Sequence, residues 1–127
     1  MAKQHPLKSF WTGCVQFSGR SSRSVYWWPF LVYSLGLGTL VLLVTTGPSG
    51  EGPPLVTSPD IVYFLALILP FLAVSVRRLH DRDMAGAWIF LYLVPLGYFA
   101  LLILFALPGT PGPNRFGEDP LARASSE

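Results

Sequence analysis

The chain is short of charge, of cysteine and of histidine. Asp, Glu, Lys and Arg make up 13% of its 127 residues, against about 25% in an ordinary soluble domain. A chain this short has much surface to cover with polar side chains. With so few of them, lipid is expected to do part of the covering. Cys14 is the sole cysteine, which excludes an internal disulfide and a multi-cysteine metal site. His5 and His80 are the only histidines, too few to build a metal centre by themselves. The formal net charge is only +2, with no dense basic stripe, so nucleic acid is not an expected partner. No nucleophilic-serine motif and no H-E-x-x-H string occurs, and no cofactor is implied.

What is present is apolar sequence in three runs. The first, Val25 to Thr46, has about 22 residues without a charge, enough for a bilayer core of roughly 30 Å. It opens on Tyr26, Trp27 and Trp28, placed as an interfacial aromatic belt, with Pro29 expected in the first helical turn. Its length exceeds that of a signal-peptide core, so it is expected to be retained as a span. The second run, Ile61 to Val76, extends to Arg78 if Arg77 and Arg78 reach back to the headgroups. The third, Ala87 to Leu107, starts on Trp88. Pro70 and Pro95 lie mid-run and are expected to kink their helices. Before the first run, Leu7, Phe10, Trp11, Cys14, Val15 and Phe17 recur at helical spacing, as on a short interfacial helix. The expected fold class is therefore an all-α integral membrane protein. Three transmembrane helices, about 25–46, 61–78 and 87–107, follow the interfacial N-terminal helix. Residues 1–120 form a single membrane domain with a turn-rich C-terminal stretch, and 121–127 a disordered tail.

Basic residues mark cytoplasmic segments. Lys3, Lys8, Arg20 and Arg23 precede the first run, and Arg77, Arg78 and Arg82 follow the second. The Gly/Pro-rich loop from Gly47 to Pro59 has no Lys or Arg. The N-terminus and the 77–86 turn are thus expected inside and the Gly/Pro loop outside. Three full crossings then put the C-terminus outside, against the charge of Arg115 and Arg123. A hairpin bent at Pro95-Leu96-Gly97 removes that conflict. Its arms of about ten residues are too short to cross, and three full spans are preferred.

Three motifs occur in order: FSGRSSRSVYW (Phe17 to Trp27), RRLHDRDMAGAW (Arg77 to Trp88) and GTPGPNRFGEDP (Gly109 to Pro120). Together they resemble the bacterial inner-membrane family known as domain of unknown function 805, the YhaH-like proteins. The resemblance covers nearly the whole chain and implies a small polytopic inner-membrane protein without an established activity. The chain departs from the family pattern at Val25, where members often carry an acidic residue, and at Ala85 to Trp88, where they often read Ser-Gly-Trp-Trp.

The RRLHD cluster has three readings. In the first, Arg77 and Arg78 anchor a helix end, Arg77 faces Asp81 at i, i+4, Asp83 caps the third helix, and His80 sits at the interface. In the second, Arg20, Arg23, Arg77, Arg78 and Arg82, with His80 and Asp81, bind a lipid phosphate or a membrane-protein partner at the cytoplasmic face. In the third, His80 and Asp81 act as acid and base. Gly109, Asn114, Arg115, Gly117 and Asp119 read as a structural turn. No ionisable residue is expected at depth, which counts against an ion-coupled transporter. The mid-run prolines Pro70 and Pro95 leave a small-solute channel or transporter component as an alternative. Ser34 and Gly38 form a small-xxx-small pair, so self-association is expected as well. The leading expectation is a non-enzymatic module binding lipid headgroups or a partner membrane protein.

Overall fold

The structure, a computed structural model, describes residues 5–46 and 58–126. Among these the chain is all-α, in the order α1 (Pro6–Thr12), α2 (Arg23–Thr46), α3 (Ser58–Asp81), a 3-10 helix (Gly86–Leu93), α4 (Gly97–Ala106) and α5 (Pro120–Ser126). Lys3 and most of the Gly/Pro loop lie outside the described residues, so their expected placement has no counterpart here.

Helix α1 starts on Pro6, where a missing N–H leaves no bond unmade. Its buried Phe10 packs against Phe71 and Tyr33, with ring centroids 5.0 and 5.8 Å away. The helix is shorter than the apolar spacing suggests. It stops at Thr12, with Gly13 as its cap, and the Arg77 guanidinium occupies the space a side chain at position 13 would need. Val15 and Phe17 therefore lie exposed beyond the helix.

Helices α2 and α3 each run for 24 residues. Since α2 begins at Arg23, Pro29 falls in its second turn, not its first, and deprives the Val25 carbonyl of its helical donor. Tyr26 is buried against Phe105, at 4.6 Å, and does not join an exposed belt; Trp28 does face outward. Helix α3 is continuous through Pro70.

The third run is not one helix. A 3-10 helix ends at Leu93, the chain turns through Val94 to Leu96, and α4 starts at Gly97. Pro95 pushes the residue before it out of helical geometry, and Val94 is extended, with ψ 133°. Leu96 follows in the left-handed region at φ 65°. Gly97 lies so close to the Leu91 carbonyl that no Cβ fits there. Tyr92 and Tyr98 meet across the break at 6.0 Å. Among the described residues, no helix is long and apolar enough to cross a membrane. The expectation of three unbroken spans is corrected at Ala87 to Leu107.

A second correction concerns the C-terminal stretch. After α4 the chain turns back, and Thr110 donates its N–H to the Asp81 carbonyl at 2.8 Å. The tail therefore shares one end of the molecule with the turn after α3, so it does not lie on the opposite side. The stretch expected to be disordered from residue 121 instead carries α5. Pro120 opens that helix and Asp119 caps it, accepting the Leu121 N–H at 2.9 Å.

Candidate functional site

The last turn of α3 leaves carbonyls without helical donors and attracts positive charge. Around it the three sequence motifs close into one polar hub. Asp81 accepts from Arg20 Nε at 2.9 Å on one oxygen and from Arg78 Nη1 on the other. The three side chains are 1%, 0% and 5% exposed, so this is a buried triad. Two guanidinium groups against one carboxylate leave an excess positive charge, and backbone carbonyls solvate it. Arg20 donates to Thr110 at 2.7 Å and Gly112 at 2.6 Å. Arg78 donates to Phe105 at 3.1 Å and to Leu107, at the C-terminal end of α4, where the helix dipole is negative. Gly109 passes so close to the Asp81 carboxylate that a methyl group has no room.

The other predicted residues are placed less uniformly. Arg77 does not face Asp81. It turns towards α1, donates from Nε to Ala73 at 3.4 Å, and leaves Nη2 buried without a partner among the described residues. Arg82 donates to the Pro108 carbonyl at 2.9 Å, while its Nε is buried and has no partner among the described residues. Asp83 does not cap the following helix. It takes a left-handed conformation, φ 59°, and pairs at the surface with Arg115 at 3.2 Å. His80 is buried, not interfacial. Its Nδ1 lies 3.1 Å from the Gly19 carbonyl, and its ring stacks on Phe116 at 3.9 Å with an angle of 2° between planes. Burial holds its pKa below the ordinary histidine value; the Gly19 contact acts the other way, and Arg115 adds to the lowering.

Asn114 fastens the tail to α3, donating to the His80 carbonyl at 2.9 Å and to the Thr110 hydroxyl at 3.0 Å. It also exchanges backbone bonds with Gly117, whose φ of 133° suits glycine. Asp119 accepts N–H groups from Leu121 and Gly112. These bonds, the Leu121 one foremost, lower its pKa.

Beside the hub lies a cavity of about 370 Å³. Arg20, Arg23 and Arg78 line it, opposed by Asp81 and Asp119, with the hydroxyls of Ser22 and Ser24 at the start of α2. Arg20 and Arg78 are committed to internal acceptors. Arg23 is exposed and has none among the described residues. His80 and Asp81 are each engaged by other groups, and among the described residues no three of His, Cys, Asp and Glu could hold a metal ion. What sequence reading missed is the set of acceptors, chiefly main-chain carbonyls, together with the Phe116 ring beneath His80. The density of Gly, Pro, Asn and Asp in the tail announced a fixed turn, but not the helix end it covers.

Residues 14–118 match the model of a protein family of unknown function, DUF805. The chain belongs to the DUF805 family. It is 41% identical over 107 residues to the inner membrane protein YhaI of Escherichia coli strain K12, covering 84% of this chain and 86% of that protein. It is 39% identical over 111 residues to the inner membrane protein YhaH of the same strain, covering 84% and 88%. No solved structure matches it significantly. Nearly the whole hub of this DUF805 chain falls inside the matched segment, from Gly19 to Gly117.

Proposed function

We propose that this DUF805 chain is a multi-pass inner-membrane protein that binds anionic headgroups at its arginine-rich end and catalyses no reaction. Its similarity to the inner membrane proteins YhaI and YhaH supports the location. So does the surface, which exposes Leu35, Leu42, Leu65, Leu93 and Phe99 at 59–80% or, for Leu65, 56%. In this reading α2 and α3, of 24 residues each, lie in the bilayer with their charged ends in the headgroup layer. The 3-10 helix and α4 reach about 16 and 15 Å, so this pair enters and leaves by one face. In this topology the N-terminal segment, the turn after α3 and the tail all lie inside, which removes the charge conflict over Arg115 and Arg123.

The observation that carries the headgroup reading is Arg23. Among the described residues it has no acceptor, and it lines a cavity whose other charged groups, Arg20 and Arg78 against Asp81 and Asp119, balance, so Arg23 supplies the net positive charge. The test is Arg23→Gln, which leaves the hub intact. Purified in native lipid, the variant is expected to retain several-fold less phosphatidylglycerol and cardiolipin than the parent. An unchanged lipid profile sinks the reading. A reporter fused to the C-terminus and silent inside the cell would sink the topology separately.

A further inference from the structure

Further along the helices from the hub, all five tyrosines of the chain line one cavity of about 240 Å³. Tyr26 and Tyr33 come from α2, Tyr63 from α3, and Tyr92 and Tyr98 from either side of the break at Pro95. Phe30 and Phe71 complete an aromatic wall, and among the described residues no charged side chain lines it. The polar groups gather at one side. The hydroxyls of Tyr26 and Tyr92 meet Ser75, with Ser75 Oγ 3.5 Å from the Tyr92 oxygen. Tyr33 accepts from the Trp11 indole at 2.8 Å, which leaves its own proton free to donate.

A cavity that only accommodated saturated lipid chains would need no more than Leu, Ile and Val. Aromatic faces favour a flat π-system, and the phenol hydroxyls add directed donors. With no carboxylate in the wall, a buried cation would go uncompensated. We propose that this cavity binds the ring of an uncharged, membrane-dissolved quinone-type lipid, with tyrosine hydroxyls donating to a ring carbonyl. The volume is large enough to take a substituted quinone ring. The inference rests on the membrane placement proposed above, since that places the cavity among ligands dissolved in the bilayer.

The probe is a decyl-substituted benzoquinone, titrated into nanodiscs that contain the full chain, with empty nanodiscs as background. Saturable binding is expected in excess over the empty discs. Tyr92→Phe, which keeps the ring and removes the hydroxyl, is expected to weaken it about three- to tenfold, the worth of one hydrogen bond. Ser34→Phe fills the cavity from the exposed side of α2 and is expected to abolish binding without disturbing the fold. Decanol, which has a chain and a hydroxyl but no ring, is expected to compete poorly. No saturable binding, equal competition by decanol, or a Ser34→Phe variant that binds like the parent would each overturn the proposal. Carbonate extraction of cell membranes keeps the two ideas apart. A chain released by carbonate refutes the membrane placement, whereas one retained in the membrane but blind to quinone refutes only this inference.

Discussion

Two regions of the molecule use opposite means of holding together. At the arginine end, charged and polar groups are inside: Arg78, Asp81 and Ser21 are 0%, 4% and 3% exposed. Around the break at Pro95, leucines and phenylalanines face out, Leu93 at 80% and Leu96 at 77%. The first region is fixed by directed bonds that tolerate little change. The second is held by aromatic packing around a cavity, with an outer surface that none of the described residues covers. A burial rule drawn from soluble proteins would misread both regions. The difference shows that in this chain a charged residue can carry structure while a row of apolar residues serves as an outer surface.

Substitutions can break or sharpen that contrast. The largest effect is expected from Asp81→Ala, which strands two buried guanidinium groups. The loss should be about 3–5 kcal/mol, enough to prevent purification of a folded protein. Survival of Asp81→Ala with an unchanged thermal midpoint in detergent would show that the hub is not what holds this end. Gly109→Ala pushes a methyl group into the Asp81 carboxylate and is expected to cost about 1–3 kcal/mol, measurable as a lowered thermal midpoint. Next is pH. The folded state keeps His80 neutral more readily than the unfolded chain does, so the unfolded chain binds the extra proton. Stability from this group is complete above the ordinary histidine pKa of about 6.5 and declines as pH falls through the lower folded value. Thermal midpoints at pH 7.5 and 5 should therefore differ, and His80→Gln should shrink the difference. Arg115→Ala removes an exposed pair and is expected to change stability by about 0–1 kcal/mol. Leu35→Ala, on the outward face of α2, should be smaller still, about 0.5 kcal/mol or less. A large loss there would mean that Leu35 packs against a second copy or another protein.

Helix existence was legible where one period governed a long run. The first two apolar runs became α2 and α3 with ends shifted by a few residues, and α1 was legible through Phe10 and Trp11. The third run misled because its apolar length outweighed a local signal. Pro95, with Leu96 and Gly97 after it, marked a break that hydrophobicity cannot show. The partners in the hub were less legible. Arg77, Arg78 and Asp81 are sequence neighbours, and helical spacing pointed to Arg77 as the partner of Asp81. The pairing went to Arg78 and Arg20 because the guanidinium of Arg20 arrives from 61 residues away and Arg77 is drawn under Gly13. The tyrosine cavity was present in the sequence only as five scattered residues. Tyr26 and Tyr33, seven apart on α2, were the one regular hint of a shared face.

The sequence by itself determined composition, helical content, the concentration of basic charge around Arg20 and Arg77 to Arg82, and the motifs that define the family. These follow from periodicity and local chemistry, which need no partner. Only the tertiary structure decided where the chain doubles back, that Asp81 is shared by two arginines, that the tail covers the end of α3, and that the tyrosines converge. Each of these depends on groups far apart in sequence, and several depend on main-chain carbonyls, which every residue carries and no sequence pattern distinguishes.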